Sequence, residues 1–155
     1  MNAWLKRRVT DPLLELLRQG TTPAKLAQCV AFGVMAGVSP FIGGTTLLAA
    51  GAAIAFRLNM VGIQAVNYLV YPLQFVFLIP FFRAGEWLFG AERLSLSLSD
   101  IVALVRARPA EAFQELVATE LRAGVAWLLL SILVIPLLTL VLTPIFARLA
   151  RATSA

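Results

Sequence analysis

No histidine occurs in the chain, cysteine occurs once, and only 14% of the 155 residues are charged. Each scarcity removes a class of function. Without an imidazole there is no ready general base near neutral pH and no zinc-type ligand set. The two lysines, Lys6 and Lys25, lie outside the apolar runs, and no carboxylate pair falls inside one. Enzymatic activity, a bound metal and a cofactor are therefore not expected. Cys29 has no partner for an internal disulfide and reads as a small packing residue. The net charge of +5 is carried at the ends of segments, with no basic patch interleaved with aromatics, so nucleic acid is not an expected partner.

What is abundant is apolar surface. Hydrophobic residues make up 60% of the chain and the mean hydropathy is +0.87, where a soluble domain is about half apolar and about a quarter charged. Three runs lack charge altogether: 26–56, 58–82 and 123–147. Each exceeds the roughly 20 residues needed to cross the hydrocarbon of a bilayer. The expectation is a membrane protein of one compact unit. Basic residues at 6–8 are followed by neither an apolar core of signal type nor a small-residue cleavage site, so the N-terminus is expected to be retained.

Four regions follow from the patterning. Residues 1–20 carry Leu13, Leu14, Leu16 and Leu17 after Asp11-Pro12 and end at Gly20, which suits a short amphipathic surface helix. Residues 21–90 form the membrane domain, residues 91–122 a polar and amphipathic connection, and residues 123–148 a C-terminal transmembrane helix. In the connection, Ser99 or Asp100 can cap a short helix before Pro109. Phe113, Leu116, Val117 and Leu121 then line one face of an interfacial helix. Pro136 and Pro144 are expected to kink or end the last span. Trp4, Trp87 and Trp127 fall near predicted span ends, as interfacial anchors do.

The first apolar run has its breakers where a helix should be unbroken. Thr22 and Pro23 open a helix, but Gly37, Pro40, Gly43 and Gly44 interrupt it. As one helix the run would extend roughly 46 Å against a hydrocarbon core of about 30 Å. A hairpin is expected instead: a half-helix over 22–38, an elbow at 39–44 and a return to Arg57. Such an elbow needs protein or water to satisfy its backbone. A second interruption, Tyr71-Pro72, lies mid-run with Asn67, Tyr68 and Gln74 around it. Paired broken segments are characteristic of transporter sites, and a packed proline kink gives the same sequence signal. Residues 1–25 hold five basic and two acidic residues, residues 83–122 five and six, and residues 148–155 two and none. Both termini thus compete well for the cytoplasm.

Gly33 and Gly37, Pro40, Gly43, Thr46, Arg57 and Asn59, Pro72, and Gly85 and Gly90 together form a spaced pattern over about residues 20–90. On these residues the chain resembles the bacterial membrane family known as domain of unknown function 2062. The resemblance implies a bacterial inner-membrane protein and supplies no activity. Where the family pattern has asparagine-proline and then threonine, this chain has Tyr71-Pro72-Leu73-Gln74.

The candidate residues divide between bland and functional roles. Gly33, Gly37 and Gly44 suit either close helix packing or the lining of a path. Thr45 and Thr46, after the elbow, either cap the returning helix or hold an anionic head-group. Arg57 either snorkels to the interface or clamps a phosphate, with Asn59 beside it. Asn67 and Gln74 place amides in an apolar run. Arg83 and Glu86 are spaced to pair along one helix face. The sequence thus points to an all-α integral membrane protein with broken, re-entrant helical hairpins, an interfacial helix and a C-terminal transmembrane helix. The function expected is transport or flipping of an anionic lipid or other amphiphile, with Thr45, Thr46, Arg57, Asn59, Asn67 and Gln74 as contacts. Gly37, Pro40, Gly43, Gly44, Tyr71 and Pro72 act as elbows. A non-transporting scaffold or subunit is the alternative. The expected partners are the bilayer, an anionic lipid, and a second copy or another membrane protein.

Overall fold

The computed structural model describes residues 21–92 and 98–153; the expected surface helix at 13–17 and Trp4 lie outside them. Among the described residues the regular elements are all helices. They are α1 (Pro23–Gly37), α2 (Thr45–Ala55), α3 (Met60–Val70), a 3-10 turn (Tyr71–Leu73), α4 (Gln74–Phe89), α5 (Leu98–Ala107) and α6 (Pro109–Thr153).

Local chemistry explains the ends. Thr22 Oγ1 accepts from the Lys25 N–H at 3.3 Å and Pro23 occupies the first turn, so α1 starts where its orphan donors are fewest. After α2, the N–H of Leu58 donates to Ala53 O and that of Arg57 to Ile54 O. This six-residue closing turn requires a left-handed residue, and Arg57 fills it with φ 51°. The same turn closes α4, with Gly90 at φ 59° and Ala91 N–H donating to Glu86 O.

The first three helices run up, down and up. Lys25 Nζ donates to Phe56 O at 2.8 Å, which returns the end of α2 to the start of α1. Along α3, Ile63 and Val66 lie against Gly33, and Asn67 and Val70 against Gly37. A Cβ on Gly33 would fall within 3 Å of Ile63 O and one on Gly37 within 3 Å of Asn67 O, so α1 and α3 touch almost backbone to backbone. Cys29, Ala36, Ala49, Ala53, Leu58 and Ile63 fill the space among the three helices. Helix α6 packs along α1 in the opposite sense. Phe146 meets Leu26 and Ala27 near the start of α1, and Trp127 lies beside Met35 near its end. Further along, Gly85 of α4 sits against the backbone of Arg122 and Ala123.

Two expectations are modified. Pro72 does not reverse the chain: Tyr71 N–H still reaches Asn67 O and Gln74 N–H reaches Tyr71 O, so one 3-10 turn carries the helix from Met60 to Phe89. Proline sits where its missing N–H matters least. Nor is the interfacial helix separate from the last span. The stretch 109–153 is one helix that contains Pro136 and Pro144, because neither the connecting residues nor Gly124, which is packed under Phe41, provides a break. The hydroxyls of Ser131, Thr139 and Thr143 are bonded to carbonyls four residues back in this same helix.

The segments Met60–Phe89 and Pro109–Arg151 are long and apolar enough to cross a membrane. Only 17% and 6% of their most apolar windows are buried within the chain, which is the reverse of a soluble core helix. By contrast α1 and α2, at about 22 Å and 16 Å, are shorter than a hydrocarbon core. Replacing Gly85 by alanine should lower the thermal unfolding midpoint of the detergent-purified protein, since the new Cβ meets unyielding backbone, at a cost of about 1–3 kcal/mol. Gly51→Ala, in open space on α2, should leave the midpoint unchanged or raise it. Equal losses in both variants would contradict this packing.

Candidate functional site: where the two helix breaks meet

The elbow at 38–44 and the turn at 71–73 are brought together by Gln74. This side chain is fully buried at the first position of α4, and its Nε2 donates to Ser39 O at 2.8 Å and Phe41 O at 3.2 Å. The one bond pair ties the two breaks to each other. It exists because the 3-10 turn after Val70 aims position 74 at the elbow, whereas Pro72 itself points outward. Tyr71, half-buried, lies edge-on to Phe75 at 6.1 Å.

A second clamp comes from α6. Trp127 Nε1 donates to Met35 O at 2.8 Å and satisfies a carbonyl of the last turn of α1. Its ring meets Phe41 edge-on at 6.1 Å, and Phe41 in turn rests on Gly124. Trp127, expected as an interfacial anchor, is therefore a helix-end donor; Trp87 is 83% exposed at the far end of α4. Gly43 takes φ 81°, which permits the elbow to turn into α2. Pro40 and Ser39 are fully buried.

Beyond the elbow the polar groups continue as a chain between α2 and α3. Gln64 Nε2 donates to Thr46 O at 3.0 Å, and Asn67 Nδ2 donates to Gln64 Oε1 at 3.2 Å. Thr46 Oγ1 and the Tyr68 hydroxyl share a hydrogen bond of 3.3 Å. Thr45 is buried, and no side chain caps α2, whose N-cap is Gly44. The chain is incompletely satisfied: Ser39 Oγ, Asn67 Oδ1 and Gln74 Oε1 are buried with no partner. Unpaired buried acceptors are rare in proteins.

The structure thus gathers Thr45, Thr46, Asn67 and Gln74 around the elbow, with Gly37, Gly44, Tyr71 and Pro72. It does not bring Arg57 and Asn59 to them. These lie past the other end of α2, about 18 Å from Thr45 by helical rise. There Asn59 Oδ1 caps α3 through the Gly62 N–H at 2.8 Å. Gln64, Ser39 and Trp127 were not among the expected contacts. Gln64 was signalled, since it is three residues before Asn67 on the same face; Trp127 is 92 residues from Met35 and no local pattern joins them. Gly33 and Gly37 serve packing inside the chain. At the far end of α4, Arg83 pairs with buried Glu86 at 2.7 Å beside a cavity of about 460 Å³.

Substituting Gln74 by leucine should destabilise the fold by about 1–3 kcal/mol, because two buried elbow carbonyls lose their donor. Gln64→Leu, whose bond lies at the exposed edge, should cost less. Unfolding midpoints of the two variants in one detergent check this, and the reverse order would show that Gln74 does not hold the elbow.

No curated protein and no solved structure matches the chain. A family model described as an uncharacterized protein conserved in bacteria (DUF2062) matches residues 6–153, which takes in α1 to α6 as well as the glycine and proline pattern of the first half. With nearly its whole length matched, the chain belongs to this bacterial family.

Proposed function

We propose that the protein is a multi-pass component of the bacterial inner membrane that moves an anionic lipid or other amphiphile between leaflets. In this reading the α1–elbow–α2 hairpin is re-entrant. It enters from the end of the bundle that carries residues 22 and 153, and the segments 60–89 and 109–151 cross. That end carries Lys25, Arg57, Arg148 and Arg151, whereas the acidic residues of α4 and α6, Glu86, Glu111, Glu115 and Glu120, belong to the opposite end. Basic flanks favour the cytoplasm.

The observation that carries the transport reading is the set of unpartnered oxygens on Ser39, Asn67 and Gln74. Asn67 and Gln74 fall near the middle of the charge-free stretch 58–82 and Ser39 near the middle of the charge-free stretch 26–56, where lipid offers no hydrogen-bond donor. A helix break needed for packing alone would be expected to close its own polar groups. Thr46 and Tyr68 join these groups to the exposed edge of α2 and α3, where a polar head-group can approach while its tail stays in lipid. The chain is small, so the working unit is proposed to be an oligomer, and no bond-making step is assigned.

The test is leaflet exchange of a fluorescent anionic phospholipid in vesicles holding the purified protein. Wild type should exchange lipid faster than empty vesicles, and Asn67→Leu and Thr46→Val should lower the rate about tenfold, equivalent to roughly 1.4 kcal/mol of barrier. A wild-type rate equal to that of empty vesicles would sink the transport reading and leave the non-transporting scaffold in its place.

A further inference from the structure

The closing turn after α2 contains a residue that the backbone does not favour. Position 57 needs a left-handed conformation, and the equivalent position after α4 is glycine, Gly90. Both turns have the same bond from the fifth residue back, Leu58 to Ala53 and Ala91 to Glu86. A non-glycine residue there is strained by its Cβ. Such an outlier points to a use for the side chain. Neutralising the helix end does not require it, since Lys25 Nζ already sits on Phe56 O at 2.8 Å.

Around the turn the free polar groups of the described side chains are donors. The Arg57 side chain is exposed and has neither an ion pair nor a hydrogen bond among the described residues. Lys25 commits one of its three N–H groups to Phe56 O and retains the others. Asn59 Oδ1 is engaged by Gly62 N–H, which leaves its amide NH2 available to donate. Arg148 and Arg151 lie on the last turns of α6 at this same end, and no acidic side chain of the described residues belongs there. A planar guanidinium with a neighbouring ammonium and amide matches a phosphate and repels nothing anionic.

We propose that Arg57, Lys25 and Asn59 form a binding surface for the phosphate of an anionic phospholipid head-group at this end of the bundle. The strained backbone of Arg57 is retained for that contact. The site lies at the opposite end of α2 from the elbow. It rests on the membrane placement proposed above and is independent of lipid movement through the elbow.

Stability and binding should therefore move in opposite directions. Thermal unfolding midpoints are measured in a neutral detergent with added phosphatidylglycerol or phosphatidylcholine. Wild type should gain several degrees from phosphatidylglycerol and little from phosphatidylcholine. Arg57→Gly should raise the lipid-free midpoint, because glycine relieves the turn, yet lose at least half of the phosphatidylglycerol gain. Arg57→Gln should lose the gain with no rise, and Arg57→Lys should keep much of it. An unchanged phosphatidylglycerol gain in Arg57→Gly would overturn the proposal, as would equal gains from both lipids in wild type. An equal gain from inorganic phosphate would identify a free-anion site and overturn the lipid assignment. None of these outcomes depends on the leaflet-exchange rate, so the two readings fail separately.

Discussion

A chain that turns back between apolar helices exposes carbonyls that nothing nearby can satisfy, and in this protein the amide of Gln74 meets that need. Its two bonds to Ser39 O and Phe41 O require the side chain to arrive at an unusual angle, which the 3-10 turn at Pro72 provides. They also require α3 to lie close against α1, which Gly33 and Gly37 permit. Trp127 completes the arrangement from α6: it donates to Met35 O while its ring meets Phe41 edge-on, and Phe41 rests on Gly124, where a Cβ would clash. The breakers of one segment, the proline of the next and the glycines of a third thus serve a single junction. An amide suits the task better than a charged group, since it donates twice without carrying charge into an apolar setting.

The parts that were legible in the sequence are local in origin. Thr22-Pro23 marks a helix start through one side-chain bond and one fixed dihedral, and the structure begins α1 there. The cluster of breakers at 37–44 and the pair Arg83–Glu86 are equally local, and each is found within a residue or two of its expected place. What failed to be legible depends on packing at a distance. Proline at 72 has the same sequence signature in a reversal and in a single tight turn; the bonds at Asn67 and Tyr71 decide between them. The fusion of the amphipathic stretch with the last span was hidden because Gly124 looks like a breaker until Phe41 is placed against it. The separation of Arg57 from Thr45 follows from α2 being one rigid helix, so residues grouped by chemistry alone were divided between its two ends.

Charge is distributed along the bundle with the same economy. Among the described residues one end holds cations without a carboxylate partner, and the other holds acids answered by arginines, as in Arg83–Glu86, Arg108–Glu111 and Arg122–Glu115. Exposed pairs of this kind contribute little to stability. Their effect is to leave the second end nearly neutral while the first stays positive. In the proposed reading an orientation signal and an anion-attracting surface would arise from this one asymmetry, with Arg57 belonging to both.

The two polar regions are joined by α2, and its character limits how anything could pass between them. Its buried face is Thr45, Ala49 and Ala53, a stripe of small side chains pressed on α1 and α3. The space behind that stripe is filled by Cys29, Ala36 and Ile63. On the outer side Leu47, Ile54 and Phe56 are exposed and apolar, and Tyr68 is exposed on α3 beside Thr46. For an amphiphile this geometry favours movement along the outer edge of α2 and α3. The head-group would meet the hydroxyls and amides of Thr46, Tyr68 and Gln64, while its tail stays against the apolar side chains. In the proposed reading, the packed interior of α1, α2 and α3 would suit an amphiphilic substrate better than a fully water-soluble one on steric grounds, independently of the charges that would favour an anionic one.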